Sequence, residues 1–268
     1  MRKEILGFCM LVSMLASTTF GAALSGSIQI VGSTSVQPLA EELAQAFMSK
    51  NPGVKIFVQG GGSGAGITGA INGTADIGNS SRELKPEEAS TGIYETVIAK
   101  DGIAMIVHPS NPVKNLSVEQ LQKIYLGEIS NWKEVGGPNL RIALVNREAG
   151  SGTRGAFEEI VMGKMADKMS SKTLVQASTG AVQQTVAVTK EAIGYISLGS
   201  LDPKAVKALQ VNGVAATERN VSNKTYPLWR PFLMLTKAAP NGVTKAFLDW
   251  ILSKEGQKIV AQDFIPVK

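Results

Sequence analysis

The chain has 268 residues, 44% of them hydrophobic and 18% charged, with a formal net charge of +5 and a pI near 9.2. That composition excludes a disordered chain, and the length allows one large domain or two ordinary ones with real cores. Lys and Arg are scattered, without a run or an aromatic-interleaved stripe, so the positive balance does not point to nucleic acid.

Arg2 and Lys3 precede an apolar stretch from Ile5 to about Phe20, followed by the small residues Gly21, Ala22 and Ala23. This is the order of a secretory signal, too short for a permanent membrane anchor, and residues 1–23 are predicted to be removed on export. The only cysteine, Cys9, leaves with them, so the mature chain is expected to have no disulfide, thiolate nucleophile or cysteine metal ligand. Residues 27–31, "SIQIV", alternate like a strand and run into "GSTS" (32–35). Val36, Leu39, Ala40, Leu43, Ala44 and Phe47 then form one helical stripe. Ser33, Thr34 and Ser35 are its candidate N-caps, and Pro38 falls in the first turn, where proline is tolerated.

The same grammar recurs. "VKIFVQ" (54–59) meets "GGGSGAG" (60–66) and a short helix with Ile67, Ala70 and Ile71. "ADIGNSSREL" (75–84) is a short strand ending in hydroxyls and Arg82. "RIALVN" (141–146) leads into "REAGSGT" (147–153) and a helix with Ala156, Phe157, Ile160 and Val161. A helix within 175–187, a strand in 191–199 and a last amphipathic helix with Val243, Phe247 and Trp250 follow. Strands alternating with helices predict an α/β fold with largely parallel sheets, whose strand-to-helix loops gather at the carboxyl ends of the strands. Two halves are predicted, with the apolar runs "DGIAMIVHP" (101–109) and "NKTYPLWRPFLML" (223–235) as crossovers: residues 24–107 plus 226–268 in lobe I, and 108–225 in lobe II.

The loops at 32–35, 60–66, 79–82 and 147–153 each present hydroxyls and glycine-freed N–H groups near a helix start. Unpaired N–H groups at a helix N-terminus favour an anion, and small side chains let it approach the backbone. Arg147 adds a planar fork that grips two oxygens of a tetrahedral oxyanion and cannot lose its charge. A few charge-assisted hydrogen bonds of ~1.5–3 kcal/mol each reach the ~8 kcal/mol of micromolar binding. The simpler alternative for Arg147 is a surface ion pair with Glu148 or another acid. Arg82 and Arg154 read as loop-supporting or exposed charges, and Asp76 as a buttress of its loop.

Catalytic readings find less support. The only histidine, His108, precedes Pro109 at the end of an apolar run and reads as structural. Ser63 and Ser151 are not in G-x-S-x-G, because Ala65 and Ala149 occupy glycine positions. Gly64 and Gly69 have P-loop spacing, but Ala70 and Ile71 replace the required Lys and Ser/Thr. Gly64, Gly66 and Gly69 match a dinucleotide fingerprint with Glu87 or Glu88 as the distal acid, although "KPEE" reads more simply as a solvated helix start.

Taken together, "VGSTSVQPLAEELAQAF", "GGGSGAGI", "ADIGNSSREL", "LGEISNWKEVGG" (126–137) and "NREAGSGTRGAF" (146–157) resemble the PstS family of periplasmic phosphate-binding proteins, especially its shorter form. The resemblance runs from about residue 28 to the C-terminus. It implies a two-lobed, type II periplasmic-binding-protein fold, hinged and closing on one dehydrated phosphate. By position it assigns phosphate binding to Thr34, Ser35, Ser63, Ser81, Arg147, Ser151, Gly152 and Thr153, with no catalytic residue, metal or cofactor. Ser81 stands where longer members have an aspartate that accepts the phosphate proton. The implied protein is a monomeric carrier in the periplasm, partnered by the membrane permease subunits of an ABC importer. A secreted phosphoryl-transfer or phosphatase-type enzyme, and a carrier of another oxyanion such as sulfate, are the alternatives.

Overall fold

The computed structural model describes residues 24–268; the predicted signal segment and Cys9 lie outside the described residues. The first strand, β1 (Ser25–Gly32), pairs in parallel with β2 (Gly53–Gly60) and β3 (Ile77–Ser80). Between β1 and β2 runs α1 (Gln37–Lys50), which buries the predicted stripe: Leu39, Ala40, Leu43, Ala44 and Phe47 are all in the core. Each large member of the stripe contributes about 1.5–3 kcal/mol by leaving water. Pro38 lies in the first turn as expected. The cap differs from expectation, because the N-cap position is Val36, with no side-chain cap. Ser33 Oγ instead accepts from the N–H groups of Ser35 and Val36, which frees the Thr34 and Ser35 hydroxyls for partners across the molecule.

From β2 the chain enters α2 (Ser63–Asn72), then β3, the single-turn α3 (Pro86–Ala89) and the long strand β4 (Tyr94–Val107). Next come β5 (Asn115–Leu116), α4 (Val118–Leu126), a 3-10 turn (Trp132–Val135) and β6 (Ala143–Arg147). The helix after β6, α5 (Gly152–Phe157), widens into a π turn (Glu158–Met162) and then tightens to 3-10 (Gly163–Lys168). Beyond it lie β7 (Thr173–Gln176), α6 (Thr179–Val188), β8 (Ala192–Ser197), β9 (Lys207–Ala208), β10 (Gln210–Val211) and α7 (Glu218–Ser222). The chain returns through β11 (Trp229–Thr236) and ends with α8 (Gly242–Ile251) and α9 (Lys254–Val260).

The main sheet runs β2-β1-β3-β11-β4-β8-β6-β7, with β9 also on β4. Strands β1, β2 and β3 are mutually parallel, as are β6, β7 and β8. The expectation of largely parallel sheets holds within each half, but not where the halves join: β11 is antiparallel to both β3 and β4, and β4 is antiparallel to β8. Strand β4 changes partner along its length. Residues up to Gly102 pair with β11, and Ile103–Val107 pair with β8.

Separate cores lie on the two sides of this change. One joins Ile28, Ile30, Leu43, Phe47, Ile77, Phe232, Phe247 and Val260. The other joins Ile103, Met105, Leu121, Tyr125, Trp132, Phe157 and Tyr195, with Phe157 stacked on Tyr195 at 4.3 Å between centroids. The parallel strands of both halves point their carboxyl ends at one another. Every loop singled out by its glycines and hydroxyls therefore arrives at the same seam.

Candidate functional site

The β1–α1 loop supplies Ser33, Thr34 and Ser35; α2 begins at Ser63; and Ser81 follows β3 directly. From the other half, Arg147 ends β6, Ser151 caps α5, and Thr179 opens α6. Ser35 Oγ lies 2.9 Å from Thr153 Oγ1 and 2.8 Å from Thr179 Oγ1, so one serine bridges two helix starts of the opposite half. Ser33 Oγ donates to Ser81 Oγ at 2.8 Å, and Ser63 Oγ is 3.4 Å from Ser81 Oγ and accepts from the Ser81 N–H at 3.0 Å. Ser33, Ser35, Ser63, Ser81, Ser151 and Thr153 are all buried.

Arg147 is 2% exposed. Its Nε and Nη2 donate to the two carboxylate oxygens of Glu148, each at 2.9 Å, and Nε also reaches the Gln176 carbonyl at 3.1 Å. The ion pair expected as the simpler role is therefore present, but it does not exhaust the guanidinium. Nη2 also donates across the seam to Thr34 Oγ1 at 3.2 Å, and Nη1 approaches Thr179 Oγ1 at 3.4 Å. Glu148 thus aims the fork at the hydroxyls. Thr34 Oγ1 accepts from both Arg147 and the Thr179 N–H, which leaves its own proton to donate.

Close approach of the two halves depends on missing side chains. Gly62 has φ +83°, and a Cβ there would lie 2.8 Å from the Gly150 carbonyl oxygen. The Gly64 N–H donates to that same oxygen at 3.0 Å. A Cβ on Gly152 would fall 2.1 Å from Ser63 Oγ and 2.7 Å from Ser81 Oγ, so only glycine lets the start of α5 sit on these serines. Ser151 caps α5 by accepting from the Arg154 N–H at 3.2 Å.

All the residues predicted for the site, namely Thr34, Ser35, Ser63, Ser81, Arg147, Ser151, Gly152 and Thr153, lie at this seam. Thr179 and Ser33 complete it. Thr179 is not singled out by the sequence, although "QASTGAV" has the hydroxyl-and-glycine helix start of the other loops; Ser33 is legible there as a cap and as part of the 32–35 loop. A cavity of about 890 Å³ lies elsewhere, bordered by Ile124, Arg141, Ile142, Lys172 and Leu174, away from these residues.

The residues set aside earlier have local roles. Arg82 forks onto Glu88 at 2.7 Å through both terminal nitrogens. Arg154 pairs with Glu158 at 2.7 Å and donates to the Arg147 carbonyl. Asp76 accepts from the Gln29 N–H at 2.8 Å, the buttress expected of it. His108 bonds Ser110 within its own turn. Among the described residues, no group of three or more His, Cys, Asp or Glu side chains could hold a metal ion.

Hydroxyls can each turn a proton outward, and helix N-termini supply further N–H donors. The ring can therefore offer donors from all sides to a small oxyanion, with one guanidinium for charge. Residues 17–255 match the PBP superfamily domain. The phosphate-binding protein PstS of Bacillus subtilis (strain 168) is 36% identical over 247 residues, covering 91% of this chain and 81% of that relative. The chain belongs to the PstS family. PstS of Borreliella burgdorferi is 32% identical over the full length of both chains. A solved chain from Clostridium perfringens, assigned as a phosphate ABC transporter substrate-binding protein and holding phosphate, is 46% identical. It has a TM-score of 0.88 and covers 91% of this chain and 100% of its own. An ABC-type phosphate transport receptor from Vibrio cholerae is 38% identical at a TM-score of 0.76, covering 90% of this chain and 100% of its own. The α/β, two-lobed fold of these two solved structures is the fold of this chain.

Proposed function

We propose that this protein captures inorganic phosphate outside the cytoplasmic membrane and delivers it to an ABC importer. The observation that carries the reading is the meeting of Arg147 from one half with Thr34 from the other, inside a ring of buried hydroxyls. The names of the PstS relatives and the bound phosphate of the Clostridium perfringens structure support the same ligand. Thr34, Ser35, Ser63 and Ser81 would bind from lobe I, and Arg147, Ser151, Gly152, Thr153 and Thr179 from lobe II. The lobes are expected at 24–107 with 226–268 and at 108–225, joined through β4 and the chain entering β11; because Ile103–Val107 pair with β8, and Tyr226 and Leu228 join the same core, the crossings fall near residues 102 and 229.

In this reading the protein acts as a monomer, docks on membrane permease subunits, and reaches the periplasm through the signal segment at residues 1–23. Among the described residues, no helix is long and apolar enough to cross a membrane. Hydrolysis would need a general base beside the anion. His108, the only histidine, is engaged in its own turn, which favours the carrier over the enzyme. Ser81 can accept the proton of HPO₄²⁻ but does not repel sulfate as a carboxylate would, so the preference for phosphate is expected to be modest. Calorimetric titration with phosphate and with sulfate tests the assignment: tighter binding of phosphate is expected. No heat from either anion, or turnover of p-nitrophenyl phosphate that disappears in His108→Ala, overturns it.

A further inference from the structure

Gly155 stands inside α5, flanked by Arg154 and Ala156, a position where glycine disfavours the helix relative to alanine. Nothing in its own lobe requires that choice. The three heavy atoms nearest to a Cβ built at 155 all belong to Arg82 of the opposite lobe: Cδ at 2.8 Å, Nε at 3.4 Å and Cγ at 3.9 Å. Arg82 cannot easily give way. Its two terminal nitrogens are forked onto Glu88, Nη1 also donates to the Glu83 carbonyl at 2.8 Å, and its side chain is only 11% exposed. The charged end faces its own loop, and the apolar stem lies across the seam against the Gly155 backbone.

We propose that Arg82, held by Glu88, is the stop that sets how closely the two lobes approach, and that the bare Cα of Gly155 is the seat it closes on. The Arg82 side chain makes no hydrogen bond to the hydroxyl ring, and Gly155 meets it only through its N–H on the Ser151 carbonyl at 3.0 Å. Both govern whether the ring assembles, because the bonds from Ser35 to Thr153 and from Arg147 to Thr34 run between the same two lobes. A methyl group at 155 would meet the pinned stem and hold α5 back by a fraction of a methyl diameter. Hydrogen bonds weaken steeply over such a displacement. The proposal rests on reading the protein as a carrier that closes on phosphate.

The test is a cycle of Gly155→Ala, Arg82→Ala and the double variant, titrated with inorganic phosphate. Gly155→Ala is expected to weaken binding by about tenfold or more. Its ligand-free melting temperature should hold or rise, because alanine favours the helix, which separates the effect from misfolding. Truncating Arg82 removes the obstacle, so the double variant should bind phosphate more tightly than Gly155→Ala alone. Binding by Gly155→Ala equal to the parent, or a double variant no tighter than Gly155→Ala, overturns the proposal. If the parent protein gives no heat with phosphate, it is the carrier reading that fails. The stop is then decided by crystal structures of the variants, where Gly155→Ala should lengthen the separation of Ser35 Oγ and Thr153 Oγ1 across the seam relative to the parent, reversed in the double variant. Equal separations reject it.

Discussion

Arg147 pairs with an acid and still faces the hydroxyls of the seam, because its donors point two ways. Nε satisfies Glu148 and the Gln176 carbonyl, Nη2 is shared between Glu148 and Thr34, and Nη1 looks toward Thr179. Without this side chain a buried oxyanion would lose its one guanidinium and at least one charge-assisted bond, worth about 1.5–3 kcal/mol. Arg147→Ala should therefore weaken phosphate binding by well over tenfold in calorimetry. Arg82→Ala should cost less, because that guanidinium is spent on Glu88. Equal losses would mean that the charge serving the anion is wrongly assigned. Arg147 could be read from sequence because an arginine before Ser-Gly-Thr at a helix start has few other uses. Thr179 could not be ranked so easily: its loop has the same grammar but no charge to single it out, and only the fold brings it to Ser35.

Among elements, those with long apolar periodicity were legible and those specified by caps were not. The stripe of α1 and the alternation of β1 fall where the sequence places them. No element was placed on α4, a short helix buried through Leu121, Ile124 and Tyr125. Its signals were local ones: Ser117 and Gln120 form a reciprocal capping box, and Gly127 closes the helix in the left-handed conformation. The single turn α3 is likewise held by one residue. Glu88 accepts from Arg82 and from the Lys85 N–H, and the Arg82 hydrogen bond in particular holds its carboxyl below the usual value. A carboxyl lowered in the folded state stabilises the fold above its unfolded pKa, about 4.3, and loses that contribution as pH falls through the lower folded value. Glu88→Gln should therefore be less stable than the parent at pH 7, with the gap closing below about pH 4. Urea unfolding at pH 7 and pH 3 measures it, and a gap undiminished at pH 3 contradicts the assignment.

At the scale of the whole molecule, the joint between the halves carries a buried ion pair. Asp101 on β4 and Arg230 on β11 stand directly opposite one another, each side chain 1% exposed, with Arg230 Nη2 donating to Asp101 Oδ2 at 3.0 Å. Burial pushes the Asp101 carboxyl up, against the pull of Arg230, so the pair is costly as well as attractive. Among the described residues, Arg230 Nη1 has no hydrogen-bond partner, which adds to that cost. Composition could not reveal this joint: the apolar runs suggest buried strands, but not that their contact would be ionic or antiparallel. Removing one member strands the other, so Arg230→Met should lower unfolding free energy by about 3–5 kcal/mol in urea titration. Asp101→Leu with Arg230→Met should recover most of that loss, since a packed apolar pair often matches a buried ionic one. A double variant as unstable as the single one would show that neighbours of the pair, not its charges, set the cost. If instead the double variant regains stability but binds phosphate more weakly, the pair's contribution lies in fixing where β4 and β11 bend, and hence how the halves meet around Arg147.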